Sequence, residues 1–246
     1  MRRGKEKGVL VLEGARLVDE ARARGLVPEV VLVSDRRDER AAELAGGGLA
    51  VRRVADSLLA SVSGLRTAPG ELALVPEPRS RGLGELAGAD DALVVVAGVQ
   101  DPGNLGALAR TAEAAGARAL VRPAGACSPW NEKALRGSMG SLLRLAVIEV
   151  ASAEEAWLGL AELGFRQVVA RTRGGVPPEE IDWSGRVALW VTAETGALPA
   201  DLAGLAGRVA DALAVTIPMA PAVESLNATA AAAVILFAAR RAREAT

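Results

Sequence analysis

Three short segments concentrate the polar and small residues from which a site could be built. Gln100 to Ala112 reads Q-D-P-G-N-L-G-A-L-A-R-T-A, and Asp101, Asn104 and Arg110 are among its polar groups. Leu189 to Pro199 ends an apolar run in Thr192, Glu194, Thr195 and Gly196, where backbone amides and one carboxylate could meet a ligand closely. Val215 to Asn227 passes through Ile217-Pro218-Met219 to Glu224-Ser225-Leu226-Asn227 and on into an Ala-rich stretch. Each lies where a buried strand hands over to a helix, which is where open α/β sheets bind ligands. Local rules account for much of this without any function. Asn104 and Ser225 read as helix caps, Glu194 as a carboxylate favoured at a helix start, and Arg110 as a solvated side chain. Asn227 has no such local explanation.

Composition narrows the chemistry open to these groups. The 246 residues include no His, no Tyr, one Cys (Cys127) and six aromatics, four Trp and two Phe. Zinc fingers, His-containing metal sites, Ser-His-Asp triads and Cys-His pairs therefore cannot be assembled within one chain, and no metal is expected. One Cys cannot form an intrachain disulfide, which fits a reducing cytoplasm. RNA binding by bases stacked on sheet aromatics is disfavoured with so few rings. Carboxylates, Arg, Lys, hydroxyls, amides and a borrowed cofactor remain. Of 29 basic residues only Lys5, Lys7 and Lys133 are Lys. Arg suits bidentate phosphate contact, although a GC-rich coding bias toward Arg and Ala explains the count as well. Residues 1–88 carry 15 basic and 13 acidic groups, and the rest carry 14 and 17, so no global basic footprint appears. No signal peptide or bilayer-spanning run is found, and a soluble, cytoplasmic protein is expected.

These segments must be positioned by a framework of alternating strands and helices. Val9–Leu12, Val30–Val33, Leu49–Val54 and Leu72–Val75 read as strands, with helices at Ala15–Arg24, Arg37–Leu44 and Ser57–Val62. This gives a small α/β domain over residues 1–78. The Pro- and Gly-rich stretch from Pro76 to Gly82 opens a linker covering residues 79–91. Residues 92–246 form a second domain. Its strands read as Leu93–Val99, Ala119–Val121, Leu143–Val150, Gln167–Ala170, Val187–Thr192 and Asp211–Ile217. Its helices read as Asn104–Gly116, Asn131–Gly137, Ala153–Leu163 and Ser225–Arg243. Strands alternating with helices predict an α/β fold with a mostly parallel sheet and helices on both faces.

Taken together, N-x-G-A-x-x-R-T-A, an x-x-E-x-G turn and I-P-M…E-S-L-N-A-T-x-A, in this order and near these spacings, resemble SpoU/TrmH RNA 2′-O-ribose methyltransferases. Arg136-Gly137-Ser138-Met139-Gly140-Ser141 resembles the R-x-S-x-G-[AS] segment between the first two motifs. Val11 to Val18 and Thr67-Ala68-Pro69-Gly70 resemble the L30e-like substrate-binding domain that often precedes the catalytic one. The resemblance spans nearly the whole chain. It implies a catalytic domain with a C-terminal deep trefoil knot, S-adenosylmethionine as cofactor, an rRNA or tRNA substrate and a homodimer that completes the site. On matching positions it implies cofactor contacts from Thr192, Glu194, Gly196, Ile217, Met219 and Leu226. It implies a catalytic group of Asn104, Arg110, Glu194, Ser225 and Asn227.

The middle motif departs from the family's G-x-E-G-x-G: Thr192, Thr195 and Ala197 stand at the three glycine positions. Added Cβ atoms there restrict positive φ and close ligand approach. This departure favours a second hypothesis, a catalytically silent RNA-binding paralogue; the retained Asn104, Arg110, Glu194, Ser225 and Asn227 oppose it. A dinucleotide-dependent oxidoreductase is a distant third, because no glycine fingerprint follows either leading strand. Absence of His is no obstacle to methyl transfer, in which positioning does much of the catalysis. A guanidinium holds its proton to very high pH. Arg110 is therefore read as gripping the phosphate beside the target ribose and polarising the hydroxyl. Asn104 and Asn227 are read as orienting Arg110, with Ser225 capping the last helix.

Overall fold

The computed structural model describes residues 8–65, 67–79, 81–192, 202 and 205–245. The chain divides into two compact units, residues 1–79 and 80–246.

The first unit runs β1 (Val9–Glu13), α1 (Ala15–Ala23), β2 (Val30–Ser34), α2 (Asp38–Gly46), β3 (Val51–Val54), α3 (Asp56–Val62) and β4 (Glu71–Pro76). Its four strands take the order β1-β4-β2-β3, antiparallel except for the parallel β2–β3 pair. Alternating apolar residues decide the buried face: Leu10 and Leu12 of β1 and Val31 and Val33 of β2 join Leu17, Val18 and Ala21 of α1. Gly14 takes φ +94° between β1 and α1, and the position of a Cβ there lies 3.5 Å from Pro69. The two N-terminal segments singled out in the sequence therefore meet. Among the described residues of this unit two carboxylates, Glu13 and Glu71, are buried, and both are satisfied. Glu13 accepts hydrogen bonds from Ser63 Oγ (2.5 Å) and Gly64 N (2.8 Å). Glu71 accepts from Arg40 Nε (3.0 Å) and Nη2 (3.1 Å), and Arg40 also binds Asp19 and Glu43. The bond to Glu71 pushes the Arg40 pKa above its ordinary value.

The second unit contains a six-stranded, all-parallel sheet. Its elements are β5 (Ala92–Ala97), α4 (Pro102–Ala114), β6 (Ala119–Pro123), α5 (Glu132–Ser138), α6 (Ser141–Arg144), β7 (Ala146–Val150), α7 (Ala153–Glu162), β8 (Arg166–Ala170), β9 (Arg186–Val191), α8 (Ala206–Ala210), β10 (Leu213–Val215) and α9 (Ala228–Glu244). The strand order is β10-β8-β9-β5-β6-β7. Every residue of the central strand β5 is buried, as a strand covered on both faces requires. On one face Val94, Val96 and Trp190 pack with Ala156, Trp157 and Leu160 of α7, the Trp157 and Trp190 ring centroids 5.0 Å apart. On the other, α4 packs on β5 and α9 packs on α4. The chain winds outward through β6 and β7, crosses to β8, then places β9 beside β5. The strand order therefore switches between β5 and β9, with all strands still parallel.

Two sequence expectations are corrected here. The stretch 79–91 is not a bare linker. Leu83–Leu86 forms a 3-10 turn, and Leu86 and Ala89 enter the core of the second unit, because Leu83, Leu86 and Ala89 recur at intervals of three on one side. The run from Leu143 to Val150 is extended only from Ala146. Met139 (φ 52°) and Gly140 (φ 94°) form a left-handed corner that starts the helical turn Ser141–Arg144.

Candidate functional site

The start of α4 is set by Asp101, which corrects the expectation of an Asn104 cap. The Asp101 carboxylate accepts from Asn104 N (2.9 Å), and Pro102 occupies the first turn, where a missing N–H costs nothing. Lys133 Nζ approaches the same carboxylate at 2.9 Å. This bond first, and the Asn104 amide second, hold the Asp101 pKa below the ordinary carboxylate range. The Asn104 side chain is thereby left for another partner.

That partner is Asn227, which is also the true cap of the last helix. Asn227 Oδ1 accepts from Thr229 N (3.0 Å) and Ala230 N (3.4 Å), while Asn227 Nδ2 donates to Asn104 Oδ1 (3.3 Å). Thr229 Oγ1 adds a bond to the Asn104 carbonyl (3.2 Å). Ser225 does not cap α9. It is exposed, two residues upstream, because the helix begins only at Ala228. The asparagine that local rules left unexplained thus joins the starts of α4 and α9.

A cleft opens at the carboxyl ends of β8, β9 and β10. It is lined by Ala170, Arg171, Thr172, Val191, Thr192, Ile217, Met219, Leu226 and three residues of α9. Four residues expected at a cofactor pocket, Thr192, Ile217, Met219 and Leu226, come from two of the three segments and converge here. They meet because β10 and β9 flank β8, bringing the chain after each strand to one end of the sheet. Glu194 and Gly196, with Thr195 and Ala197, lie outside the described residues. Arg171 and Thr172 line the cleft from outside the three segments; their signal in the sequence is a strand ending in Arg171-Thr172-Arg173 before Gly174-Gly175. Thr192 is 5% exposed, and its Oγ1 is buried with no hydrogen-bond partner among the described residues. A buried hydroxyl left unpaired costs about 1–3 kcal/mol, so such a group calls for a ligand or water.

Arg110 stands apart from this cleft. It is exposed on α4, makes no hydrogen bond to Asn104 or Asn227, and is not among the cleft-lining residues. Six residues along a helix place it ~9 Å along the axis from Asn104 and on a different face. Direct orientation of Arg110 by the two asparagines is therefore corrected. The segment Arg136 to Ser141 serves packing: Ser138 Oγ donates to the Leu135 carbonyl (2.8 Å), and Gly137 faces Gly106 across the α4–α5 contact. No cluster of metal-ligating side chains occurs among the described residues, and no helix among them is long and apolar enough to cross a membrane.

The cleft, the parallel sheet and the α4–α9 junction can be set beside known proteins. A model of the SpoU rRNA methylase family matches residues 91–237. The chain belongs to that family. Over 234 residues it is 30% identical to the 23S rRNA (guanosine(2553)-2′-O)-methyltransferase RlmP of Bacillus subtilis, covering 92% of this chain and 86% of that protein. It is 36% identical over 205 residues to the 23S rRNA (guanosine-2′-O-)-methyltransferase RlmB of Xylella fastidiosa, covering 80% of this chain and 79% of that one. Among solved structures, the SpoU methyltransferase AviRb from Streptomyces viridochromogenes in complex with the cofactor AdoMet matches with a TM-score of 0.81 at 27% identity. That match covers 95% of this SpoU-family chain and 90% of AviRb.

Proposed function

We propose that this protein is an S-adenosylmethionine-dependent RNA methyltransferase acting on the ribose 2′-hydroxyl of a nucleotide in rRNA or tRNA. The observation that carries the reading is the convergence of Thr192, Ile217, Met219 and Leu226 on one cleft at the carboxyl ends of β8–β10. The cleft fits the cofactor by its chemistry: aliphatic walls suit the adenine faces, and the Thr192 hydroxyl, without a hydrogen-bond partner among the described residues, offers a polar contact. When bound, S-adenosylmethionine supplies a sulfonium-activated methyl group, and the protein's part is orientation and electrostatics. Arg110, exposed and without an ion-pair partner among the described residues, grips the phosphate beside the target ribose and polarises the hydroxyl. Asn104 and Asn227 hold α4 and α9 at fixed relative positions beside the cleft. Glu194 and Gly196 retain the roles the family pattern gives them, and Ser225 belongs to the catalytic group without capping α9.

A C-terminal deep trefoil knot is supported by a sheet in which β10 pairs with β8 while α9 returns to pack on α4. A homodimer is supported by Val234 (46% exposed) and Phe237 (43% exposed), apolar side chains left uncovered on α9. Residues 1–78 form the L30e-like, RNA-selecting domain and 92–246 the catalytic domain, whose core Leu86 and Ala89 of the intervening stretch join. Cys127 as the single cysteine suits a reducing cytoplasm. Calorimetric titration with S-adenosylmethionine tests the reading. Saturable binding, weakened in a Met219→Asp variant, is expected. No binding at millimolar cofactor would instead favour the silent RNA-binding paralogue.

A further inference from the structure

One residue lining the cleft is an arginine to which methyl transfer assigns no task. Arg171 directly follows β8 and lines the cleft; it is exposed and has no ion-pair partner among the described residues. Among the described lining residues it is the one charged group. Its backbone is held firmly. Arg171 N donates to the Val215 carbonyl (2.9 Å), and Thr216 Oγ1 donates to the Arg171 carbonyl (3.2 Å) while accepting from Gly175 N (3.0 Å). Val176 N donates to the Ala214 carbonyl (2.9 Å), and Thr216 N donates to the Val176 carbonyl (2.9 Å). Gly175 sits so close to β10 that a Cβ would lie 2.6 Å from the Ala214 carbonyl carbon. A guanidinium presented from a backbone ordered in advance loses less freedom when it captures an anion.

We propose that Arg171 is a specificity-determining residue whose guanidinium holds the carboxylate at the amino-acid end of the cofactor. This rests on the cleft being the S-adenosylmethionine site. A carboxylate brought against the aliphatic and hydroxyl side chains of the other walls would lose its hydration without gaining a countercharge, which is costly. The planar fork of Arg supplies both the charge and two parallel donors. Arg171 then separates ligands that carry the amino-acid end from bare thionucleosides of the same adenosine core.

The test is calorimetric titration of the full chain and its Arg171→Gln and Arg171→Lys variants. The ligands are S-adenosylmethionine, S-adenosylhomocysteine and 5′-methylthioadenosine, the last of which lacks the amino-acid end. Arg171→Gln is expected to raise Kd for the first two by roughly ten- to one-hundred-fold, the scale of a lost charge-assisted pair, with Arg171→Lys between. Kd for 5′-methylthioadenosine should stay within about twofold in all three proteins, and its binding also reports that the variants are folded. Equal losses for all three ligands, or no loss for the two that carry a carboxylate, overturn the proposal. A wild-type protein that binds none of the three refutes the cofactor reading itself, and this inference with it.

Discussion

Asn227 performs two tasks with one amide, and substitutions can separate them. Its oxygen caps α9 at Thr229 N and Ala230 N, and its nitrogen donates to Asn104 Oδ1. Loss of an Asx cap costs about 1 kcal/mol. The second bond lies in the open, so a value near the low end, about 0.5 kcal/mol, applies. Asn227→Ala should therefore lose about 1.5 kcal/mol, or roughly 3–6 °C in Tm for a domain of this size. Asn227→Ser keeps a good cap and loses the bridge, a cost of about 0.5 kcal/mol. Asn227→Asp keeps the cap, and Asn104 can turn its amide to donate to the new carboxylate, leaving stability within about 0.5 kcal/mol of wild type. Thermal unfolding of the four proteins, followed by circular dichroism and calorimetry, gives the order directly. An Asn227→Ala protein as stable as wild type, or an Asp variant less stable than the Ala variant, would refute the dual role.

Three further outcomes follow from the packing and the charges. Gly106→Ala would drive a Cβ into the Ala134 carbonyl oxygen and to 2.8 Å from Ser138 N, both backbone atoms that cannot rotate away. It should cost about 1–3 kcal/mol by denaturant unfolding, and a neutral result would mean that α4 and α5 can slide apart. Arg40→Met leaves the Glu71 carboxylate, whose side chain is 0% exposed, without its countercharge. A loss of about 3–5 kcal/mol is expected, largely recovered in Arg40→Met/Glu71→Leu; failure of the double variant to recover would point to lost packing instead. The lowered Asp101 pKa means its capping contribution is complete above the unfolded carboxylate value of about 3.9 and fades as pH falls through the depressed folded value. The Tm gap between wild type and Asp101→Asn should shrink between pH 7 and pH 3, and a constant gap would contradict the assignment.

Much of the framework could be read from residue patterns because burial follows them. The continuous apolar run around Val94–Val96 is a central strand, and Leu17, Val18 and Ala21 face inward from α1. Caps were harder to place. Asn104 and Ser225 are good cap residues by type, yet the caps lie three residues earlier and two later, at Asp101 and Asn227, with the helices beginning at Pro102 and Ala228. Which of several neighbouring Asx or Ser residues caps a helix depends on where tertiary contacts let it start. The 3-10 turn after the first unit was hidden because Pro, Gly and charged residues surround Leu83 and Leu86. The cleft was legible only through the family pattern. Its walls come from residues 170–172, 191–192 and 217–235, and no local rule specifies that β10 pairs with β8 or that β9 enters between β8 and β5. Arg171 belongs to none of the three segments, and the strand end before Gly174-Gly175 marks its position without marking its place in the cleft.

The most direct test of the central claim is methyl transfer itself. Purified protein, isotopically labelled S-adenosylmethionine and RNA from cells lacking the gene should yield labelled RNA. Nuclease digestion and mass spectrometry should then place the label in a 2′-O-methylnucleoside, at a position that is unmethylated in those cells and methylated when the gene is restored. Arg110→Lys should lower the rate sharply while leaving cofactor binding intact. Label in a base, or no transfer to any RNA by a protein that binds the cofactor, would contradict the account.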